Sequence, residues 1–172
     1  MHYGRITTAV GSVLALIGLL LTSASSAGAD LLPTLSAIPD SPFPDGFDRV
    51  FTALWDESAA GAGIFVIALV AVFGLSMIPN IKDAMSRMNA LIVTVLGVVM
   101  LAIGAIATFG AQDDADTLEA GFAQAAAGGL IPEAFTVSIS FGWYLLVAGG
   151  VLAAIGGVLQ LIARSDENAL SD

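Results

Sequence analysis

Residues 88–109 read MNALIVTVLGVVMLAIGAIATF, a run of apolar and small side chains without one charged residue. A helix needs about 20 apolar residues to cross the hydrocarbon core of a bilayer. Within that core the backbone finds no water to bond, so a crossing segment of this kind has to be helical. The run therefore predicts a transmembrane helix.

Three further apolar runs accompany it, at residues 6–23, 61–78 and 141–163. Together with 57% hydrophobic residues and a mean hydropathy of +0.91, they indicate one membrane domain over residues 1–172. We predict an all-α integral membrane protein, a bundle of four transmembrane helices. A cytoplasmic turn at 79–87 joins the second and third helices, and a cytoplasmic tail follows at 164–172. The chain has no cysteine, which excludes disulfides and thiolate chemistry.

The basic residues predict the orientation, because Lys and Arg concentrate in cytoplasmic segments. Four of the five fall next to or between the runs in a consistent way: Arg5, Lys82, Arg87 and Arg164. We expect a bacterial plasma membrane, both termini in the cytoplasm, and residues 24–60 and 110–140 outside. These outer segments carry Arg49 and eleven acids, so the net charge of −10 lies outside; the acids are Asp30, Asp40, Asp45, Asp48, Asp56, Glu57, Asp113, Asp114, Asp116, Glu119 and Glu133.

The first run also has the features of a secretory signal peptide. Arg5 precedes the apolar stretch, and the small residues Ala27-Gly28-Ala29 stand before Asp30 as a cleavage site would. Two outcomes are open at this stage. A retained helix leaves four spans, whereas cleavage leaves three without changing the sidedness of the others.

The first outer segment divides into two parts. Residues 30–46 contain four prolines, which predict an irregular, extended stretch. From there an amphipathic helix is expected over 46–57, with Asp45 as its N-cap. Its apolar face holds Phe47, Val50, Phe51, Leu54 and Trp55. This face is expected to lie in the outer membrane interface, where it either covers the bundle or docks a partner.

The second outer segment begins with four closely spaced acids. Asp113, Asp114, Asp116 and Glu119 could supply oxygens to a hard cation such as Ca²⁺, but their spacing lacks the glycine and ligand order of an EF-hand loop. Acids at the start of a helix stabilise its positive end, so we favour an outer helix that these residues cap and that ends at Gly128-Gly129.

Small residues within the runs mark the faces on which helices pack closely. The last run carries Gly149, Ala153 and Gly157 at four-residue spacing, and the third carries Gly97 and Gly104. These faces are expected to hold the bundle together, and any that remains free would contact another subunit. Trp143 and Tyr144 begin the last run, where an aromatic belt at the outer interface is expected.

None of the four runs contains Asp, Glu, Lys, Arg or His, and His2 is the sole histidine. Transport of charge, haem ligation within a span and triad hydrolysis all lack the residues they require. No nucleic-acid-binding motif is present. We therefore expect no enzyme, no cofactor and no metal, but an accessory or assembly subunit of a multi-protein membrane complex. Its partners would be other integral membrane subunits, lipid and a basic extracytoplasmic protein.

The host that we consider first is a bacterial respiratory oxidase/reductase supercomplex, where small subunits without redox groups are common. Two alternatives stay open. One is a cell-envelope scaffold whose acidic ectodomain binds a cation or a polymer. The other is a small oligomeric channel for a neutral solute, for which Thr94 and Thr108 would have to supply a polar stripe.

Overall fold

The computed structural model describes residues 3–77 and 85–169, with side chains up to residue 163 of the last helix. Most of the predicted turn at 79–87 and the end of the predicted tail lie outside these residues. The elements in chain order are α1 (Tyr3–Leu20), β1 (Ala24–Ser26), a 3₁₀ turn (Ala29–Leu31), α2 (Leu32–Ser36), α3 (Val50–Glu57), α4 (Ala59–Met77), α5 (Arg87–Ala127), β2 (Val137–Ile139) and α6 (Phe141–Ala169).

Four helices, α1, α4, α5 and α6, are long and apolar enough to cross a membrane. Their bounds agree with the four predicted runs within a few residues, except that α5 and α6 continue beyond their predicted ends. The predicted all-α membrane bundle is confirmed. α6 packs most extensively against α1 and α5, and α4 completes the bundle with looser contacts to α1 and α5.

α1 and α6 run antiparallel and meet through glycine. Glycines 4, 11 and 18 of α1 face glycines 156, 149 and 142 of α6, so each helix presents a glycine every seven residues. A methyl group on Gly11 would lie 2.7 Å from the carbonyl oxygen of Gly149, which leaves no room for a side chain. Seven-residue spacing keeps such a contact line continuous between helices that coil around each other with a left-handed twist.

The predicted ridge of Gly149, Ala153 and Gly157 divides between two neighbours. Gly149 contacts α1, whereas Gly157 lies against Thr94 of α5, where a methyl group would come within 2.7 Å of the Thr94 backbone nitrogen. Ala153 is fully buried in the bundle core. α6 is therefore the central helix of the bundle, with one face for each neighbour.

The two glycines predicted on the third run also pack within the bundle. Gly97 lies against the backbone of Ala154 of α6, and Gly104 lies more loosely against Leu146. Both are buried. The small residues singled out in the sequence thus hold the bundle together, and none of them is left on an outer face.

The two segments predicted to lie outside the membrane fold into one unit, here termed the cap and comprising residues 21–57 and 110–140. β1 directly follows α1 and pairs antiparallel with β2, which directly precedes α6; Ala24 lies opposite Ile139. The cap has its own apolar cluster, separate from the bundle core, whose buried members are Leu32, Leu35, Ala115, Phe122, Ala125, Ile131 and Val137. The expectation of an irregular stretch over 30–46 is wrong at α2, because a proline in the first turn of a helix is tolerated.

The helix expected at 46–57 is shorter, beginning at Val50 with Arg49 as its N-cap residue. Asp45 is not the cap. The backbone of residues 48–50 pairs instead with the chain leaving α1: the Ser23 N–H donates to the Asp48 carbonyl at 2.7 Å, and the Val50 N–H donates to the Leu21 carbonyl at 2.8 Å. These bonds hold residues 48 and 49 extended, and the helix begins after them.

α5 is a single helix of 41 residues with a total length of about 60 Å. Its first half belongs to the bundle and its second half continues into the cap. The predicted separate outer helix, and the capping role of Asp113, Asp114, Asp116 and Glu119, are wrong because all four lie within α5. The N-cap is Ser86, whose hydroxyl accepts a hydrogen bond from the Asn89 N–H at 3.2 Å.

Gly110 does not end α5 after the span. One helical glycine costs only about 1 kcal/mol. Continuing the helix buries Ala115, Phe122 and Ala125 in the cap, and full burial of a phenylalanine alone gains about 1.5–3 kcal/mol. The predicted end at Gly128-Gly129 is observed: Gly129 has φ +74°, and the Leu130 N–H donates back to the Ala125 carbonyl at 2.9 Å.

The glycine contact between α1 and α6 predicts that Gly149→Ala destabilises the protein. The added methyl would lie 2.6 Å from the Gly11 carbonyl oxygen, so the two backbones must move apart at a cost of about 1–3 kcal/mol. Gly74→Ala is the matched control, because nothing lies within 4 Å of a methyl there and alanine is the better helix former. Thermal unfolding in mild detergent measures both. Equal thermal midpoints for the two variants would contradict the close contact between Gly11 and Gly149.

The packing of α1 also predicts that this helix is retained in the mature protein. Gly28, in the centre of the candidate cleavage site, is buried against the ring of Phe135, and its carbonyl accepts a hydrogen bond from the Leu31 N–H at 3.0 Å. Proteolytic sites concentrate in exposed, poorly bonded segments. Intact-mass analysis of protein purified through a C-terminal tag should find residues 3–29 present, whereas a mass beginning at Asp30 would overturn the prediction.

Candidate functional site

The four acids considered for a cation do not converge. Successive residues of a helix point about 100° apart, so Asp114 leaves α5 in a different direction from Asp113. Asp116, three residues after Asp113, lies on the same face as Asp113. The Glu119 carboxylate accepts a hydrogen bond from the Val137 N–H at 2.9 Å and so joins α5 to β2. Across residues 3–77 and 85–169, no group of three or more His, Cys, Asp or Glu side chains could hold a metal ion.

The apolar face predicted for α3 is divided between two environments. Val50 and Leu54 are buried in the bundle core, while Phe51 and Trp55 are 39% and 49% exposed. Their rings pack together with centroids 6.1 Å apart. An exposed aromatic pair at the cap end of the bundle suits the headgroup region of a membrane or a partner protein. Phe47 lies before the helix and packs against the cap cluster instead.

Trp143 does not belong to the expected aromatic belt. It is only 1% exposed, and its indole Nε1–H donates to the Ser23 carbonyl at 2.9 Å. Tyr144, the next residue, is 53% exposed, and its place in an aromatic belt stays a prediction. The sequence placed both aromatics at the outer end of the bundle without indicating which one turns inward.

A cavity of about 370 Å³ lies where the cap meets the bundle. Its walls are the loop at 42–48, α3, the outer half of α5, and the start of α6. Phe43, Phe47 and Trp143 contribute aromatic rings to its lining. Phe43 is held in place by Phe122 of α5, with the two ring centroids 5.2 Å apart. The aromatic wall is therefore built onto the apolar cluster of the cap.

The same cavity is lined by three carboxylates, Asp48, Glu57 and Asp114, and by no Lys or Arg among the described residues. Glu57 reaches across from α3 to α5 at Gly110, where a methyl group would lie 2.7 Å from its Oε1 atom. Asp114 stands one turn further along α5. Gly110 thus makes the space in which the Glu57 carboxylate lies beside that of Asp114.

The pKa of Glu57 is raised above its ordinary value. Partial burial of the carboxyl is the larger cause, and the negative charge of Asp114 is the smaller. Both effects act against the ionised form. Glu57 and Asp114 therefore place two neighbouring carboxyl groups, without a basic side chain in the described lining, inside a largely apolar cavity.

The sequence predicts Phe47 and Asp114 as candidate site residues but does not reveal the cavity that brings them together. The cavity depends on four segments far apart in the chain, residues 23–24, 42–57, 111–121 and 137–143. Gly110, one turn before Asp114, is the residue in the sequence that could have indicated the space for the Glu57 carboxylate, although a lone glycine is a weak indication. Comparisons with protein-family models, with curated proteins and with solved structures give no match, and the function therefore rests on this geometry.

The raised pKa predicts that Glu57→Gln stabilises the protein near neutral pH. Because the folded-state pKa lies above the unfolded one, ionised Glu57 destabilises the fold, fully so above the folded pKa and not at all below the unfolded pKa. The variant should gain about 0.5 kcal/mol or less in free energy of unfolding, since solvent screens an exposed side chain. It should shrink towards about pH 4, where Glu57 is mostly protonated in both states.

Thermal midpoints between about pH 4 and pH 8 test this. Asp48 and Asp114 are the other ionisable groups of the cavity and remain unchanged in the comparison. Asp56→Asn, which removes an exposed carboxylate outside the cavity lining, is the control. A Glu57→Gln variant less stable than the wild type near neutral pH would show that the glutamate charge stabilises the fold.

Proposed function

We propose that this chain is a non-catalytic accessory or assembly subunit of a larger membrane complex, which docks a basic extracytoplasmic partner on its cap. The observation that carries the proposal is the charge of the cap. Ten of its eleven acids have exposed side chains, and Glu119 alone is half-buried. Arg49 is the single basic residue among them. A surface of this kind attracts a positively charged partner and orients it.

The architecture of the cap supports docking by a preformed surface. The acids are carried on the outer half of α5 and on loops, which pack against the apolar cluster of the cap, and on α3, which packs against the bundle core. A rigid surface loses little conformational entropy on binding. Phe51 and Trp55 stand beside this surface at the level of the outer membrane interface, where lipid or a membrane subunit would contact them.

The membrane part supports a role without chemistry. Residues 6–20 of α1, α4, the membrane portion of α5 and residues 141–163 of α6 contain no Asp, Glu, Lys, Arg or His, and Arg5 lies in the first turn of α1. Charge-moving proteins usually keep such residues at membrane depth. The outward faces of all four spanning helices are apolar, with Ile67, Val70 and Ile106 more than 60% exposed. These faces suit lipid or neighbouring transmembrane helices.

Mild-detergent purification of the tagged chain tests the proposal. We expect a companion with a basic extracytoplasmic face to co-purify at low salt and to dissociate as ionic strength rises, because exposed charges are screened. The triple variant Asp40→Asn, Asp45→Asn, Glu133→Gln should lose it. These three acids are exposed on the cap and lie outside the cavity lining.

The control is a triple variant in the predicted cytoplasmic tail, Asp166→Asn, Glu167→Gln, Asp172→Asn. It removes the same number of negative charges and should retain the companion. Membranes of the native host, including those rich in respiratory oxidases and reductases, are the material for this experiment. Recovery of the chain as a lone monomer before and after cross-linking in native membranes would refute the proposal. Loss of the companion from both triple variants alike would refute the role of the cap.

A further inference from the structure

We propose that the cavity between the cap and the bundle is a binding site for a small organic cation, an amine or ammonium group carried on an apolar skeleton. The proposal concerns the chain by itself and does not require the docking function. It follows from the size of the cavity, the chemistry of its walls and the sign of the charge within it.

The size fits a small organic molecule. Ligand cavities in proteins usually enclose about 300–1,000 Å³, and this one encloses about 370 Å³. It is open on one side, so a ligand can enter without unfolding the cap. Its position, at the junction of the bundle and an outer unit, is one at which binding sites often form.

The walls suit a cation with an apolar body. Phe43 and Phe47, both half-buried, offer ring surfaces, and half-buried Leu118 adds an aliphatic one, while Trp143 and Val137 border the cavity with almost no exposed surface. Aromatic faces attract ammonium groups at close range, and the attraction grows when water is excluded. Phe43 is held by its ring contact with Phe122, and Trp143 by its hydrogen bond to Ser23, so the wall exists before a ligand arrives.

The carboxylates determine the sign of the ligand charge. Asp48, Glu57 and Asp114 line the cavity without a basic side chain beside them in the described part of the lining. The space at Gly110 brings Glu57 next to Asp114, a costly arrangement that an ammonium group would relieve. An anion of the same shape would meet three negative charges and be rejected. A bare metal ion is disfavoured because too few of the carboxylates converge.

A matched series of three probes tests the proposal on the purified full chain in detergent. 2-Phenylethylamine, 2-phenylethanol and 3-phenylpropionate have similar skeletons and carry a positive, no and a negative charge. At about ten times its dissociation constant, the amine should raise the thermal midpoint by about 3–5 °C. The alcohol should have a much smaller effect and the acid none.

Variants locate the site. Glu57→Gln and Asp114→Asn should each weaken amine binding about tenfold, whereas Asp116→Asn and Glu133→Gln should not, because these exposed acids lie outside the cavity lining. Equal stabilisation by all three probes, or no stabilisation by the amine, would overturn the proposal. Equal weakening in all four variants would assign binding to the general charge of the cap and would also overturn it. None of these outcomes bears on co-purification of a partner, so the two proposals fail separately.

Discussion

The close approach of α1 and α6 is the constraint on which the rest of the structure depends. In lipid, helices gain nothing hydrophobic by associating, so their attraction comes from dense packing and weak contacts between backbones. Glycines at seven-residue intervals on both helices allow such contact from Gly4 to Gly18. Because the two helices are this near, the chain leaving α1 and the chain entering α6 emerge side by side, and β1 can pair with β2.

The backbone of Ser23 connects the packed ends of α1 and α6 to the cap. Its carbonyl accepts hydrogen bonds from the Ser140 N–H at 3.0 Å and from the Trp143 indole at 2.9 Å, while its N–H donates to the Asp48 carbonyl. One residue thereby joins the end of α1, the approach to α3 and the start of α6. The cavity lies directly against this junction. Its aromatic and acidic walls are consequently positioned by the packing of the membrane helices and not by the cap alone.

The sequence predicted the spans well because lipid imposes a single requirement, a long apolar helix, which is visible in any window of the chain. It predicted the cap poorly. Asp113 and Asp114 looked like the start of a helix because local rules favour acids there, yet α5 continues past them to bury Phe122 in a cluster built from distant residues. The start of α3 at Val50 depends likewise on bonds to Leu21 and Ser23, which no local pattern reveals.

The cap separates what stabilises it from what it presents to its surroundings. Its stability comes from an apolar cluster and from backbone pairing, whereas most of its carboxylates remain in solvent. Glu119, bonded to Val137, and Glu57, partly buried in the cavity, are the exceptions. A cap that used its acids for stability would need basic partners, and its sequence supplies Arg49 alone. The repulsion among the acids is tolerated because the apolar cluster does not depend on them. Their combined field attracts cations of any shape, and selectivity arises only in the cavity, where that field acts between aromatic walls.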